Sequence, residues 1–227
     1  MCGRFTQFYT WAEVHAFLSM FGTPRNLQPR YNIAPTTMID VVRPTEQGRE
    51  LVSMRWGLIP GWWKKSAKEV PATFNARSDS VAEKPMYRNA FKHRRCLIPA
   101  SGFYEWTGEK RARQPHFFSA ADGSPVLAIP GLWDRWRDPE SGEDILSCTM
   151  IVTEASAWME RYHDRMPVIM ARENFTGWLD GSLGVEVLKS APESALREWC
   201  VSPRVNRTGA GDDDPSLVEP LATEQNA

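Results

Sequence analysis

Cysteine is scarce in this 227-residue sequence, and the four that occur fall in no pattern. Cys2, Cys96, Cys148 and Cys200 are widely separated, with no Cys-x-x-Cys and no histidine at zinc-site spacing. That leaves neither a disulfide framework nor an expected metal or other cofactor. Apolar runs never approach 18 residues, and no apolar signal segment follows Arg4. Export and membrane insertion are therefore not expected, and the predicted setting is the reducing cytoplasm, where thiols stay free. Gly-x-Ser-x-Gly and His-Glu-x-x-His are both missing, so a conventional serine or zinc protease has no support. Internal repeats and linker-like stretches are missing too, so one domain is expected over 1–227, ordered from about 2 to 220. The Asp/Gly/Pro-rich stretch from Gly209 leads into an expected flexible tail at 221–227.

What the sequence does have begins with Met1-Cys2-Gly3. Loss of Met1, usual before so small a side chain, makes Cys2 the N-terminal residue, with a free α-amine beside its thiol. An α-amine of reference pKa about 7.7–8.0 is substantially neutral near pH 7 and attacks carbonyls. The thiol can then close on the imine to give a thiazolidine, or act on an acyl group as a nucleophile. Against this stands the plain alternative that Cys2 is an incidental residue at a frayed terminus.

Charge is unevenly distributed. Residues 1–113 hold 18 Lys and Arg against 9 Asp and Glu, a net +9, and the remainder is −10. A basic half suits a polyanion, although the two halves can equally fold together and intersperse their charges. Ten tryptophans is a high count for this length. Three of them, with two lysines, sit in the Pro/Gly-punctuated loop Trp56–Lys65. Aromatic rings beside cations on a loop suit stacking on bases and neutralising phosphates, unless the loop folds over the core and buries them.

Thr10–Glu13 has capping-box form and predicts a helix with Val14, Phe17, Leu18 and Phe21 on its apolar stripe, ended by Gly22 and Pro24. Strands are predicted at Met38–Arg43, Glu50–Trp56, Cys96–Pro99, Gly102–Trp106, Pro125–Trp133, Ile145–Thr153 and Val168–Met170. The basic segment Tyr87–Arg95 reads as a solvated helix face, and further helices are predicted at 154–161 and from Ser190. Cys96, Cys148 and Cys200 read as buried hydrophobes. Glu105 lies among Phe103, Tyr104 and Trp106. Desolvation there would raise its pKa and suit a general acid, but period-2 alternation favours pointing it to water. A lone histidine is usually structural, but His163 lies in a polar cluster at a helix–strand junction, a position that favours facing a cleft. Strands outnumber helices and rarely alternate with them, giving an α+β, mostly antiparallel fold with a barrel-like core and a few flanking helices.

Met-Cys-Gly-Arg-Phe, Tyr31–Thr36, Trp56–Lys64, Asn75-Ala76-Arg77, Arg95–Trp106 and His163–Met170 resemble, in that order, the SRAP family, named for SOS response-associated peptidase. Its members shield abasic sites in single-stranded DNA. The resemblance implies a mature N-terminus at the base of a basic groove, with Cys2 forming a thiazolidine with the ring-opened abasic aldehyde. It implies that Asn75 and Arg77 hold the N-terminus and flanking phosphates, that Arg4 and Arg165 add phosphate contacts, and that Trp62 and Trp63 stack at the displaced strand. Glu105 would be the acid–base residue, and His163 would stabilise the sugar hydroxyl or its ring-opened form. The implied partner is single-stranded DNA containing abasic sites, met by a monomer without a cofactor.

Three other readings share these residues. An N-terminal-nucleophile amidotransferase also begins Cys-Gly, but it needs an Asn-Gly oxyanion element, and no Asn-Gly dipeptide occurs. A non-covalent single-strand DNA module would use the same groove and be indifferent to Met1. A peptidase would remove Met1 or release the crosslink, using Glu105 and His163.

Overall fold

The computed structural model describes residues 2–109, 112–209 and 212–222. Twelve strands follow in order: β1 Phe5–Gln7, β2 Arg30–Ile33, β3 Met38–Thr45, β4 Gly48–Trp56, β5 Asn75–Arg77, β6 Arg95–Ala100, β7 Gly102–Thr107, β8 Gln114–Ala120, β9 Leu127–Arg137, β10 Asp144–Glu154, β11 Arg165–Pro167 and β12 Leu196–Cys200. The α-helices are α1 Trp11–Leu18, α2 Arg88–His93 and α3 Phe175–Asp180. The fold is α+β, as expected. Strands β10, β4, β3, β6 and β9 pair in turn, and β9 pairs back onto β10, closing a five-stranded mixed barrel. The β10–β4 and β10–β5 pairings are parallel and the others antiparallel. A second sheet runs β12–β8–β7–β1–β2.

The second sheet buries aromatic side chains on both faces. Phe5, Phe103 and Phe118 pack with Cys2, Trp56, Ile98 and Met150 in one cluster. Tyr104 and Phe117 pack in another with Val201, Val205 and Leu217 from the C-terminal segment. That explains where strand periodicity misleads at Glu105. β7 has no water-facing side at Phe103–Glu105, so Glu105 is buried at 2 % exposure instead of alternating outward. Gly102 is needed where β7 meets β8, because a Cβ there would lie 2.3 Å from Phe117 Cζ and 2.4 Å from Phe118 O.

Helix α1 carries the predicted capping box, Thr10 N donating to Glu13 Oε2 at 2.6 Å and Glu13 N to Thr10 Oγ1 at 3.3 Å. Caps of this kind contribute about 1 kcal/mol. The helix stops at Ser19, in the left-handed region, before Gly22 and Pro24. Phe21 therefore leaves the stripe and is exposed, while Val14 and Leu18 are buried. The helix predicted at 154–161 shrinks to a 3-10 turn, Met159–Arg161, because β10 continues to Glu154 to meet β11. The helix expected from Ser190 is a 3-10 turn, Glu193–Ala195, feeding β12, whose ladder with β8 overrides the local helix signal. The strand expected at Val168–Met170 lies earlier, at β11, where β10 supplies a partner. Leu221, assigned to the tail, donates its amide to Cys200 O at 2.9 Å, and 223–227 lie outside the described residues.

Candidate active site

Cys2 leads straight into β1, and β1 pairs antiparallel with β7 at Phe5–Phe103. Continuing that register places Gly3 opposite Glu105, one residue from Cys2. Cys2 is fully buried, its Sγ donating to Arg4 O at 3.5 Å. Its carbonyl accepts from Asn75 Nδ2 at 2.7 Å. Asn75 is held in turn by β5, laid parallel beside β10 with Asn75 opposite Met150. Asn75 Oδ1 is buried with no hydrogen-bond partner among the described residues. An amide clamp on the Cys2 carbonyl with a spare acceptor beside it suits a residue whose nitrogen must be oriented.

Burial pushes the Cys2 thiol well above the ordinary thiol range, and the nearby Glu105 charge adds to the rise. The thiol is therefore neutral at physiological pH. Glu105 Oε1 is also buried without a hydrogen-bond partner among the described residues. Burial pushes the Glu105 carboxyl up to about 8, with Asp164 adding to the rise and Arg113 drawing it down. A carboxyl in that range is largely protonated near neutrality, yet within reach of ionisation.

His163 follows the Met159–Arg161 turn and joins the same electrostatic cluster. Its Nδ1 accepts from Arg165 N at 3.0 Å and lies 2.7 Å from Asp164 Oδ1. Burial lowers its pKa, while Asp164 offsets part of that. Arg77 on β5 and Arg165 on β11 flank the end of β10, opposite Val152 and Glu154 respectively. Their guanidinium groups converge on one carboxylate. Arg77 Nη2 is 2.5 Å and Arg165 Nη1 3.6 Å from Asp79 Oδ2. Two cations facing one anion outline a seat for a phosphate oxygen.

Arg4 differs from expectation. It is 9 % exposed, and its Nη1 donates to Asn32 Oδ1 at 2.6 Å and Val205 O at 2.7 Å, so this donor is spent tying β1 to β2 and the C-terminal segment. The tryptophan loop divides. Trp62 is 49 % exposed, whereas Trp63 is half-buried with Nε1 donating to Ser66 O at 3.1 Å, and Trp56 is buried in β4. The loop rests on β9, with Gly61 N on Asp134 Oδ2 and Trp136 Nε1 on Trp63 O. Asp134 pairs with Ser147, so the loop stands about 10 Å along β10 from Met150 at ~3.3 Å per residue. The structure thus brings Cys2, Asn75, Glu105 and His163 into one cluster and Arg77 and Arg165 to its edge. It leaves Trp62 and Trp63 further along the barrel.

Sequence reasoning missed Asp79, Arg113 and Asp164. Asp79 had a signal, as an acid two residues beyond Arg77 in the basic half. Arg113 and Asp164 gain meaning only from the fold.

A family model described as SOS response associated peptidase (SRAP) matches residues 1–208. The chain is 36% identical over 226 residues to the abasic site processing protein YoqW of Bacillus subtilis, covering 96% of this chain and 99% of that protein. It is 34% identical over 187 residues to the abasic site processing protein HMCES of Xenopus tropicalis, covering 70% of this chain and 56% of that one. A crystal structure of a protein from Bacteroides thetaiotaomicron superposes with a TM-score of 0.85 at 22% identity, covering 97% of this chain and all of the other, which is a likeness of fold. With the model match running through the candidate site and over most of its length, the chain belongs to the SRAP family.

Proposed function

We propose that this chain processes abasic sites in single-stranded DNA by capturing the ring-opened sugar on Cys2 as a thiazolidine. The observation that carries the reading is the buried Glu105 carboxyl, its Oε1 without a hydrogen-bond partner among the described residues and its charge felt by the Cys2 thiol. The names of the two relatives given above, both abasic site processing proteins, point to the same substrate.

In the 227-residue chain the Cys2 nitrogen is in a peptide bond, so the reaction requires loss of Met1 to free the amine. An abasic sugar is mostly a closed hemiacetal. Glu105 opens it by giving its proton to the ring oxygen while its other oxygen takes the proton of the 1-hydroxyl, ending as it began. Because the thiol is neutral, the amine attacks first. Addition to C1′ and loss of water give the imine, whose acidified 2′ hydrogens invite strand scission. The thiol then adds to C1′ as its proton passes to nitrogen, and the imine is gone. Aldehyde and aminothiol thus become thiazolidine and water. Asn75 orients Cys2 through its carbonyl, His163 faces the sugar hydroxyl, and Arg77 and Arg165 take the flanking phosphates. Trp62 offers a stacking face further along the bound strand.

The test uses single-stranded DNA with one uracil, treated with a uracil glycosylase. The expected product is a covalent band that survives SDS, lost in Cys2→Ala while most non-covalent affinity remains, since affinity comes from phosphate contacts. An undiminished band from Cys2→Ala, or from protein shown by mass to retain Met1, overturns the reading in favour of another nucleophile.

A further inference from the structure

Strand β8 lies between β7 and β12, and its His116 is opposite Glu105 on one side and Cys200 on the other. Glu198, two residues before Cys200, comes to the same face. His116 Nδ1 stands 2.5 Å from Glu198 Oε1 and 3.7 Å from Cys200 Sγ. One imidazole nitrogen, one carboxylate oxygen and one sulfur all lie within 4.8 Å of one another. Cys200, expected as a buried hydrophobe, is half-buried, so the group has a route to solvent. The other imidazole nitrogen, Nε2, is 2.7 Å from Thr107 Oγ1. Tyr162 closes the group, its ring edge-on to His116 at 4.8 Å.

We propose that His116, Glu198 and Cys200 form a binding site for a divalent, borderline-soft transition metal of the zinc type, one cross-strand step from Glu105. The donor set is nitrogen, oxygen and sulfur, the combination such a metal takes. A tetrahedral zinc with bonds of about 2.0–2.3 Å spaces its ligand atoms roughly 3.3–3.7 Å apart. The Nδ1 to Sγ separation already fits, and Glu198 needs only to swing off Nδ1. Thr107 supplies the outer partner that ligating histidines use. With Nδ1 on the metal, Nε2–H donates to the Thr107 hydroxyl, which fixes tautomer and ring plane. Three protein ligands leave a fourth position for water. On binding, the Cys200 thiol gives its proton to solvent as its sulfur takes the metal, while His116 and Glu198 offer Nδ1 and a carboxylate oxygen.

The probe is Co(II), read by its thiolate-to-metal charge-transfer absorption, in full-length Cys2→Ala protein so that the N-terminal aminothiol cannot contribute. The proposal expects that band at one equivalent and its displacement by Zn(II). Adding Cys200→Ser removes the band while the melting temperature is retained, and adding His116→Ala weakens binding strongly. Thr107→Val, which removes no metal-ligating atom but takes away the hydroxyl that accepts from His116 Nε2, weakens binding by ~10–100-fold. Absence of the band in Cys2→Ala protein, or its persistence after Cys200→Ser, overturns the proposal. Binding indifferent to Thr107→Val does so too, reducing the site to adventitious surface chelation.

Discussion

Burial raises the Glu105 carboxyl from its ordinary value near 4.5 to about 8, and the sign of the consequence for stability follows. In the unfolded chain the group ionises above about 4.5, whereas in the folded chain it holds its proton until about 8. The contribution is intact below the unfolded value and is lost as pH rises through that window. At pH 7 this group alone costs the fold up to about 3 kcal/mol, at 1.36 kcal/mol per pKa unit. Glu105→Gln keeps the shape and cannot ionise. The variant should melt higher than wild type at pH 8 and level with it near pH 4. Abasic-site crosslinking should fall by roughly the 10²–10⁴-fold typical of a lost general acid–base group. A variant that crosslinks at full rate, or whose melting advantage does not depend on pH, removes Glu105 from the chemistry.

Strands β5, β10 and β11 show how element pairing builds what single residues suggest. β10 receives Arg77 on one edge and Arg165 on the other, and Asp79 spans both. Arg77 draws Asp79 below the usual carboxylate range through its hydrogen bond, so the anion is present at any physiological pH. A DNA phosphate must displace it. Asp79→Asn should therefore bind single-stranded DNA more tightly than wild type, by several-fold in a fluorescence-anisotropy isotherm at moderate salt, with no preference among sequences. Unchanged or weaker binding would mean that Asp79 orders the arginines instead of competing for them. Legibility in the sequence divides along the same lines. Long strands with clean apolar patterns, β3, β4, β6, β9 and β10, were readable to within a few residues, as was the capped start of α1. β5 and β11, three residues each, exist only because β10 offers them an edge, and no local pattern announces them. β8 and β12 stayed hidden because β8 opens Gln114-Pro115 and β12 follows a Ser-Ala-Pro-Glu helix signal. With them His116, Glu198 and Cys200 stayed hidden as a group, since β-pairing and not chain spacing unites them.

Across the whole molecule the +9 and −10 halves do partly neutralise each other, with Arg30 on Asp212 and Arg94 on Asp134 joining them. A basic composition therefore says little about which cations meet DNA, and Arg4 is the instructive case. The family resemblance implies a phosphate contact for it. In the fold its Nη1 bonds Asn32 Oδ1 and Val205 O, and burial lowers its pKa below that of a free guanidinium. The exposed Arg77 keeps its charge at the surface. Salt titration separates these two jobs. Each phosphate contact on single-stranded DNA contributes about 0.7 to the slope of log affinity against log salt. Arg77→Ala and Arg165→Ala should each flatten the slope by about that amount and leave the melting temperature nearly unchanged. Arg4→Ala should leave the slope as it was and lower the melting temperature, because two buried acceptors lose a charged donor at a cost of order 1–3 kcal/mol. A flattened slope in Arg4→Ala with an unchanged melt would move Arg4 out of the scaffold and into the groove. A slope that no arginine variant alters would put the phosphate contacts on the lysines of the Trp56–Lys65 loop, Lys64 and Lys65, beside the exposed Trp62.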